Sequence, residues 1–171
     1  SGIADLIAEQ PAKAKDLIHR NSEGLLRLVN QMLDLSKLES GTMPVHLVQG
    51  DIIVYLKYLF ESFHSMAASK EISLEFVSDQ ENLVMDYDPD KMLNIVFNLM
   101  SNAIKYTPTQ GHIDISWQQV EGCPVFSVTD NGIGIDPRFH QKIFELFGRL
   151  DNNVEGTGIG LALVKRIIEV H

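Results

Sequence analysis

The sequence predicts an α+β fold: a two-layer α/β sandwich, in which helices cover one face of a mixed sheet, preceded by a long helix. Strand-like and helix-like segments alternate along residues 42–171, but two strands follow one another as a hairpin, which favours a sandwich over a doubly wound parallel sheet. Apolar residues at helical spacing over residues 5–40, ending at Gly41, indicate the preceding helix. We therefore divide the chain into an N-terminal helix, residues 1–41, and a globular domain, residues 42–171.

The N-terminal helix is predicted to associate with a partner. Ile18, Leu25 and Met32 recur every seven residues, and Leu28 and Leu35 extend the same seam. Burial contributes roughly 1.5–3 kcal/mol for each such side chain, whereas an isolated helix in water is marginal. We expect pairing with the same helix of a second copy, and packing on the chain's own globular domain is the alternative. Further apolar residues widen the seam toward a bundle face: Leu17, Leu26, Val29, Leu33 and Leu38.

The globular domain begins with a short strand and a capped helix. Residues 42–49 alternate weakly as a linking strand, and Asp51 then caps a helix that runs to about Ala68. Residues 72–77 alternate clearly, and residues 83–85 form a further short apolar run, so two strands are predicted before the next helix.

The second half of the domain is predicted to contain a helix, a hairpin and a last helix. The first of these helices starts at Asp88-Pro89, because Asp is a favourable N-cap and Pro at the first position loses only an amide hydrogen that has no helical partner. It stops at Thr107-Pro108. The later elements are strands over 113–117 and 125–128 joined by a turn at 121–122, a short helix over 139–147, and a helix after the glycine-rich turn at 156–160.

Charge and composition narrow the function classes. The net charge of −9 argues against nucleic acid as a partner, because binding to a phosphate backbone needs a basic surface. The single cysteine, Cys123, excludes an internal disulfide and is typical of a reducing compartment, so we expect a cytoplasmic location. No apolar run is long enough to span a bilayer, and we expect no direct membrane contact from this chain.

Three polar residues share one face of the helix that starts at Pro89. Asn98, Asn102 and Lys105 are spaced by four and then three residues. Carboxamide oxygens can ligate Mg²⁺ and an ammonium can neutralise phosphate, so this row suits an anionic ligand that carries a hard metal ion. A solvated polar stripe near the helix C-terminus, where the dipole favours Lys, is the alternative.

Two glycine-containing turns add complementary features. An apolar strand delivers Asp130 to the turn at 130–134, and a buried carboxylate there could accept a hydrogen bond from an exocyclic amine such as that of adenine. Residues 156–161 open a helix, whose first N–H groups can receive phosphate oxygens. The alternatives are an ordinary Asn-Gly hairpin turn for the first, and for the second a glycine-rich loop that lacks the preceding strand or the lysine of familiar nucleotide loops.

These segments together resemble the ATP-binding catalytic domain of sensor histidine kinases, in the class that also contains DNA gyrase B, the mismatch-repair ATPases and the heat-shock chaperone of that fold. The resemblance covers nearly the whole chain. Residues 21–41 resemble the second helix of the kinase dimerisation hairpin, which separates the kinases from the other members. The asparagine box, first glycine box, phenylalanine box and second glycine box correspond to residues 98–108, 130–134, 144–147 and 156–161.

The resemblance implies binding of ATP with Mg²⁺ and a role for each matched residue. Asn102 would ligate Mg²⁺ with Asn98 beside it, and Lys105 would contact phosphate. Tyr106 would lie against the nucleoside, and Asp130 would read the adenine amine. The other residues implied in nucleotide binding shape the base pocket or the lid: Gly132, Gly134, Ile135, Phe147, Arg149, Gly156, Thr157, Gly158, Ile159, Gly160 and Leu161.

The resemblance also indicates the type of reaction. Members of the class that hydrolyse ATP carry a Glu at the position of Asn98 to activate water, whereas an amide cannot take a proton. Asn98 therefore favours transfer of the γ-phosphate to a protein acceptor, and Asn98 and Lys105 are the candidate catalytic residues. The implied acceptors are a histidine on the first dimerisation helix and then an aspartate of a response-regulator receiver domain.

The chain departs from the family pattern in three places. No histidine is followed by the acidic residue and Pro-Leu of the phosphoacceptor, so we expect the first dimerisation helix to be missing and no self-phosphorylation. Leu146 and Gly148 stand where an Arg and a Tyr are usual in the family. Contacts between the lid over the nucleotide and the phosphates would therefore depend more on Arg149. The chain ends at Val170-His171, where the family continues into two more strands, so the sheet is expected to be truncated.

Three interpretations of function remain. The first is a fragment of a histidine kinase that forms a homodimer through the N-terminal helix, with an anchor of the full protein in the inner membrane left open. The second is a nucleotide-binding module that binds ATP without transferring phosphate. The third, an ATP-driven clamp like gyrase, is disfavoured by Asn98 and by the kinase-like N-terminal helix.

Overall fold

The computed structural model describes residues 44–148 and 157–170, together with isolated positions at 22, 29, 32, 33 and 36. Those isolated positions are helical and exposed, and they include Val29, Met32 and Leu33. The rest of the predicted N-terminal helix lies outside the described residues. Within the described part of the chain, no helix combines the length and the apolar character that crossing a bilayer requires.

The globular domain contains a mixed sheet and a separate two-stranded ladder. In the sheet, β2 (Ser73–Ser78) pairs in parallel with β4 (His112–Val120), and β4 pairs antiparallel with β5 (Cys123–Asp130). The antiparallel ladder is formed by β1 (Val48–Asp51) and β3 (Val84–Tyr87). The mixed sheet with helices confirms the predicted α+β fold. The elements are β1 (Val48–Asp51), α1 (Ile52–Glu61), α2 (His64–Ala68), β2 (Ser73–Ser78), β3 (Val84–Tyr87), α3 (Pro89–Tyr106), β4 (His112–Val120), β5 (Cys123–Asp130) and α4 (Gly160–Val170).

The main core lies between α1, α3 and one face of the sheet. β4 shows the alternation that produces it: Ile113, Ile115 and Trp117 are buried, whereas the residues between them are only partly covered. A second, smaller cluster joins α4 to the opposite side of α3, through Leu163, Ile167 and Ile95. Because α3 packs on the core with one side and on α4 with another, it is the element on which the rest of the domain is arranged.

Two aspartates start the helices as the sequence predicts. Asp88 accepts hydrogen bonds from the amides of Asp90 and Lys91 at 3.0 and 3.1 Å, and so caps α3 ahead of Pro89. Asp51 accepts from the amide of Ile53 at 3.0 Å and caps α1. Both N-cap predictions are confirmed.

Several predicted boundaries are wrong. The helix expected from Asp51 to Ala68 is interrupted, because the Ser62 amide and hydroxyl both donate to the Leu59 carbonyl and end α1 there. The first strand, predicted over residues 42–49, starts only at Val48, because its pairing partner β3 has only four residues.

The short helix expected over residues 139–147 is also wrong. Two 3₁₀ turns, Pro137–Phe139 and Lys142–Phe144, occupy this region instead. Glu145 then adopts extended backbone and Phe147 has a φ of +60°, so the chain cannot continue as a helix.

Candidate nucleotide site

The polar face of α3 is partly buried. Asn98 is 7% exposed, and its Nδ2 donates to the Asn94 carbonyl one turn earlier at 2.8 Å. Asn102 and Lys105 are half-buried on the same face. The Lys105 ammonium lies 4.9 Å from the centroid of the Tyr106 ring, a cation–π contact at the C-terminal end of the helix. The row is therefore built into the domain and is not a fully solvated stripe.

Gly160 allows the N-terminus of α4 to approach Asn98. A Cβ placed on Gly160 would lie only 2.4 Å from the Asn98 Oδ1, closer than any side chain tolerates. The buried Ile159 and the packing of Leu163 on α3 hold α4 in this position. The first backbone N–H groups of a helix have no acceptor inside that helix and can receive an anion. This arrangement therefore places the N-terminus of α4 beside the Asn98 side chain of α3.

The residues just before α4 form a tight turn. The Thr157 hydroxyl accepts a hydrogen bond from the Ile159 amide at 3.3 Å, and Gly158 has a φ of +71°. Leu161, in the first turn of α4, is half-buried. Arg149 and Gly156, which the sequence analysis predicts to bind the nucleotide, lie outside the described residues.

The turn after β5 packs against the other end of α3. A Cβ on Gly132 would lie 2.6 Å from the Tyr106 carbonyl oxygen, so glycine is needed for this close approach. Asp130 Oδ1 accepts from the Gly132 amide at 2.9 Å. Asn131 ties the turn to β4, because its Oδ1 accepts from the His112 amide at 2.8 Å and its amide donates to the His112 carbonyl.

Asp130 differs from its predicted environment. The sequence suggested a buried carboxylate, but Asp130 is exposed. It is the last residue of β5, which is the edge strand of the described sheet, so no further strand covers it. Its carboxylate is consequently accessible to a ligand at the turn.

Two apolar residues of the predicted nucleotide site, Ile135 and Phe147, are exposed. Ile135 is 42% exposed and Phe147 is 60% exposed. Gly134, the last residue of the turn, directly precedes Ile135 and has a φ of +67°, a conformation that suits glycine. Both side chains are therefore accessible to a ligand.

Sequence reasoning missed Lys70 and Asn131. The Lys70 ammonium donates to the carbonyls of Ile104 and Lys105 at 2.8 and 3.0 Å, and so holds the C-terminal end of α3. Lys70 lies just before a predicted strand, where a lysine is ordinarily a solvated residue, so no sequence signal distinguishes it. Asn131 was noticed only as part of a turn dipeptide, and its link to β4 depends on the strand register.

The structure thus brings three sequence segments together: the face of α3 from Asn98 to Tyr106, the turn from Asp130 to Gly134, and the start of α4 at Gly158–Gly160. The donor set suits Mg²⁺, because amide oxygens are hard ligands and this ion takes few protein oxygens, completing its shell with phosphate and water. The helix end suits phosphate, and the carboxylate at the turn suits a hydrogen-bond donor.

Known proteins are similar to this chain in sequence. Residues 87–171 match the family described as histidine kinase-, DNA gyrase B-, and HSP90-like ATPase. The sensor histidine kinase WalK of Bacillus subtilis (strain 168) is 31% identical over 182 residues, which covers 98% of this chain and 29% of WalK. The chain spans only 11% to 29% of the length of the curated relatives at this level of similarity.

Solved structures of histidine kinases are similar to this chain in fold. Full-length ShkA in complex with AMPPNP has a TM-score of 0.79 and 30% identity, covering 93% of this chain and 33% of ShkA. Histidine kinase ThkA in complex with the response regulator TrrA has a TM-score of 0.69 and 20% identity, covering 98% of this chain and 49% of ThkA, a likeness of fold alone. Residues 87–171 therefore form a domain of the histidine kinase-, DNA gyrase B-, and HSP90-like ATPase family, and the homologues and structural neighbours of this chain are sensor histidine kinases and their catalytic domains.

Proposed function

We propose that this chain binds ATP with Mg²⁺ and, in the full protein, supplies the γ-phosphate to a histidine on a dimerisation helix outside this chain. A response-regulator aspartate then receives the phosphate. The observation that carries the proposal is the close approach of Gly160 to Asn98 at one end of α3 and of Gly132 to Tyr106 at the other. These two glycine turns, together with the part of α3 between Asn98 and Tyr106, form the proposed cradle for the nucleotide.

The phosphate end of this cradle is assigned to α3 and α4. Asn102, with Asn98 beside it, holds Mg²⁺, and the Lys105 ammonium contacts phosphate. When bound by these residues, Mg²⁺ would supply positive charge that offsets the charge of the phosphates. The amides around Gly158 and Gly160 receive phosphate oxygens at the positive end of the α4 dipole. Thr157, Ile159 and Leu161 keep this turn in place, and Arg149, Gly156 and Phe147 belong to the lid.

The base end is assigned to the turn after β5. The Asp130 carboxylate has two oxygens and several acceptor sites, so it can cap the Gly132 amide and still accept from an adenine amine. Tyr106 lies against the nucleoside, while Gly134 and Ile135 shape the pocket wall. An exposed carboxylate at a glycine turn supports this assignment, because a base can reach it without displacing a protein side chain.

Asn98 favours a kinase over a hydrolase. Its amide cannot act as the base for a water molecule, so the γ-phosphate is kept for a better-positioned acceptor. The competing proposal is a nucleotide-binding module without phosphotransfer, and it is favoured by the lack of a phosphoacceptor motif among the six histidines of the sequence.

Calorimetry followed by labelling separates the two proposals. We expect the chain to bind ATP with Mg²⁺, and to remain unlabelled when incubated alone with ATP carrying radioactive γ-phosphate. Added separately, a dimerisation hairpin from a sensor histidine kinase is expected to acquire acid-labile label on its histidine. Binding without any transfer to the hairpin would favour the module, and label on His19 of this chain would contradict the missing-acceptor interpretation.

The role of Asp130 has its own test. Replacing Asp130 with Asn removes a charge-assisted hydrogen bond, so we expect ATP affinity to fall by about 1.5–3 kcal/mol. Asp136→Asn is the matched control, because Asp136 is a nearby carboxylate that pairs with Arg138 at 2.7 Å instead. Equal affinities of the two variants in calorimetry would remove Asp130 from the proposed base pocket.

We propose a homodimer through the N-terminal helix and a cytoplasmic location for the globular domain. The exposed apolar residues at helical positions 29, 32 and 33 support the first. The single cysteine of the sequence supports the second. The ThkA–TrrA complex supports a response regulator as the protein partner.

A further inference from the structure

The sheet face opposite the core carries a cluster of potential metal ligands. Glu75 on β2 and Asp114 on β4 are directly paired in the parallel register, and His112 precedes Asp114 by two residues on the same face. One ligand atom from each of the three side chains lies within 4.8 Å of the other two. None of the three belongs to the nucleotide site, which lies along α3.

The three side chains are partly preorganised. The His112 Nε2 lies 2.6 Å from Asp114 Oδ1, and the His112 Nδ1 lies 2.7 Å from the Ser73 hydroxyl on the paired strand. The Ser73 hydroxyl is also within 3.3 Å of the Gly111 carbonyl, to which it donates. Ser73 can then accept from Nδ1–H, which orients the imidazole so that Nε2 faces the carboxylates, as hydrogen bonds to the second ring nitrogen do in metal sites.

The charge of the cluster favours a cation. Within residues 44–148 and 157–170, neither Glu75 nor Asp114 forms an ion pair with a lysine or an arginine. The His112 imidazole contacts Asp114 at 2.6 Å, whereas Glu75 has no ion-pair contact in the described part of the chain, so the charges of these two paired carboxylates repel each other. A divalent ion between them would offset that repulsion and bond all three groups at once.

We propose that Glu75, His112 and Asp114 form a binding site for a divalent transition-metal ion of the zinc class, separate from the Mg²⁺ of the nucleotide. Imidazole nitrogen with carboxylate oxygens is a zinc donor set, whereas Mg²⁺ and Ca²⁺ take oxygen ligands. Two ligands two residues apart on one strand and a third on the next strand supply three positions of a tetrahedron, and water supplies the fourth. The bound ion fastens β2 to β4.

The position of the site links it to the nucleotide turn. His112 exchanges hydrogen bonds through its backbone with Asn131, the residue after Asp130. An ion that fixes His112 therefore also restrains the start of that turn. The proposal does not require nucleotide binding, and its test is made without ATP or Mg²⁺.

The test is titration of the metal-free chain with Zn²⁺ alone, followed by calorimetry and by the absorption spectrum of the Co²⁺-loaded chain. We expect a bound equivalent of Zn²⁺ and visible cobalt bands of a four-coordinate nitrogen and oxygen site. His112→Gln and Glu75→Gln should each weaken this binding by about 10-fold or more, because losing even a hydrogen-bond partner of a metal ligand typically costs about 10–100-fold in metal affinity. Glu75 is exposed, so its replacement leaves the fold intact, which circular dichroism of the metal-free variants checks.

His64→Gln is the matched control. His64 is also exposed and lies 3.7 Å from the Glu61 carboxylate, but it starts a helix, and no third potential metal ligand among the described residues groups with this pair. We expect this variant to bind Zn²⁺ as the unmodified chain does. The proposal is overturned if the unmodified chain takes up no Zn²⁺, or if His112→Gln or Glu75→Gln binds it with the same stoichiometry and affinity as the unmodified chain.

Discussion

At the scale of single residues, the site depends on two places where a backbone comes unusually close to another group. Gly160 approaches the Asn98 side chain, and Gly132 approaches the Tyr106 carbonyl. Neither glycine has a positive φ in the structure. Glycine is therefore needed at these two positions because a Cβ would not fit, and not because of the backbone conformation. Spacing in the sequence cannot reveal such a requirement, because it arises only when distant segments pack together.

Gly160→Ala tests the first close approach. The added Cβ would meet the Asn98 Oδ1 at 2.4 Å, so either the amide or the N-terminus of α4 must move. We expect affinity for ATP with Mg²⁺ to fall by about 10-fold, or 1.4 kcal/mol, in calorimetry. Gly50→Ala is the control, because its Cβ would meet only the end of the Tyr87 side chain at 3.2 Å, away from the site. Unchanged affinity of the Gly160 variant would mean that this contact does not position the site.

At the scale of elements, both ends of α3 are fixed by side chains from other parts of the chain or from the preceding turn. Asp88 caps the N-terminus, and it also accepts from the His46 amide at 2.8 Å. Lys70 holds the carbonyls at the C-terminus. The amides and the ammonium of the site therefore sit on a helix with restrained ends, which is what precise positioning of a metal–phosphate group requires.

Lys70→Met tests the C-terminal restraint. The variant keeps a side chain of similar length but leaves the carbonyls of Ile104 and Lys105 without their ammonium donor. We expect the free energy of unfolding to fall by about 1–3 kcal/mol, and ATP affinity to fall with it because Tyr106 and Lys105 lose their fixed position. Lys57→Met, at an exposed position on α1, serves as the control in both urea unfolding and calorimetry. A loss of stability without loss of affinity would make Lys70 structural only.

Asp88 makes the stability of α3 dependent on pH. Burial acts to raise the pKa of Asp88, but hydrogen bonds from the amides of His46, Lys91 and Asp90 and the charge of Lys91 leave it below the ordinary value of 3.8. An acid whose pKa is lowered on folding stabilises the folded state fully above the ordinary value, and this contribution is lost as the pH falls through the lower folded-state value.

The corresponding prediction compares the unmodified chain with Asp88→Asn in urea. We expect the variant to be less stable at about pH 6, and the difference in free energy of unfolding to shrink as the pH is lowered below the ordinary pKa of 3.8, because the unfolded chain then binds a proton that the folded Asp88 carboxylate resists. A difference that stays constant over this range would show that the ionised carboxylate contributes nothing beyond what an amide cap supplies.

At the scale of the whole molecule, the sequence was sufficient for the parts of the fold that depend on local patterns. Alternation predicts β2 and β4, and the Asp-Pro cap places the start of α3 at the right residue. The sequence failed where long-range contacts decide. The break after Glu61 depends on the Ser62 hydroxyl, and the exposure of Asp130 depends on which strand lies at the sheet edge. The polar face of α3 and the two glycine turns were recognisable in the sequence, and their role in nucleotide binding stays a prediction, whereas no sequence signal indicated the Lys70 restraint.

The last prediction concerns association. The described helical positions Val29, Met32 and Leu33 are 46%, 49% and 52% exposed in the single chain, which is unfavourable for apolar side chains on one helix. Met32 also lies in the predicted seven-residue repeat, so Met32→Asp should convert a dimer into a monomer in analytical ultracentrifugation, because a charge cannot be buried unpaired in the seam. Ser36→Asp, also helical and exposed but polar to begin with, should leave the dimer intact. ATP affinity should be unchanged in both, since none of the proposed nucleotide-binding residues lies in residues 1–41. A monomeric unmodified chain would refute pairing through this helix.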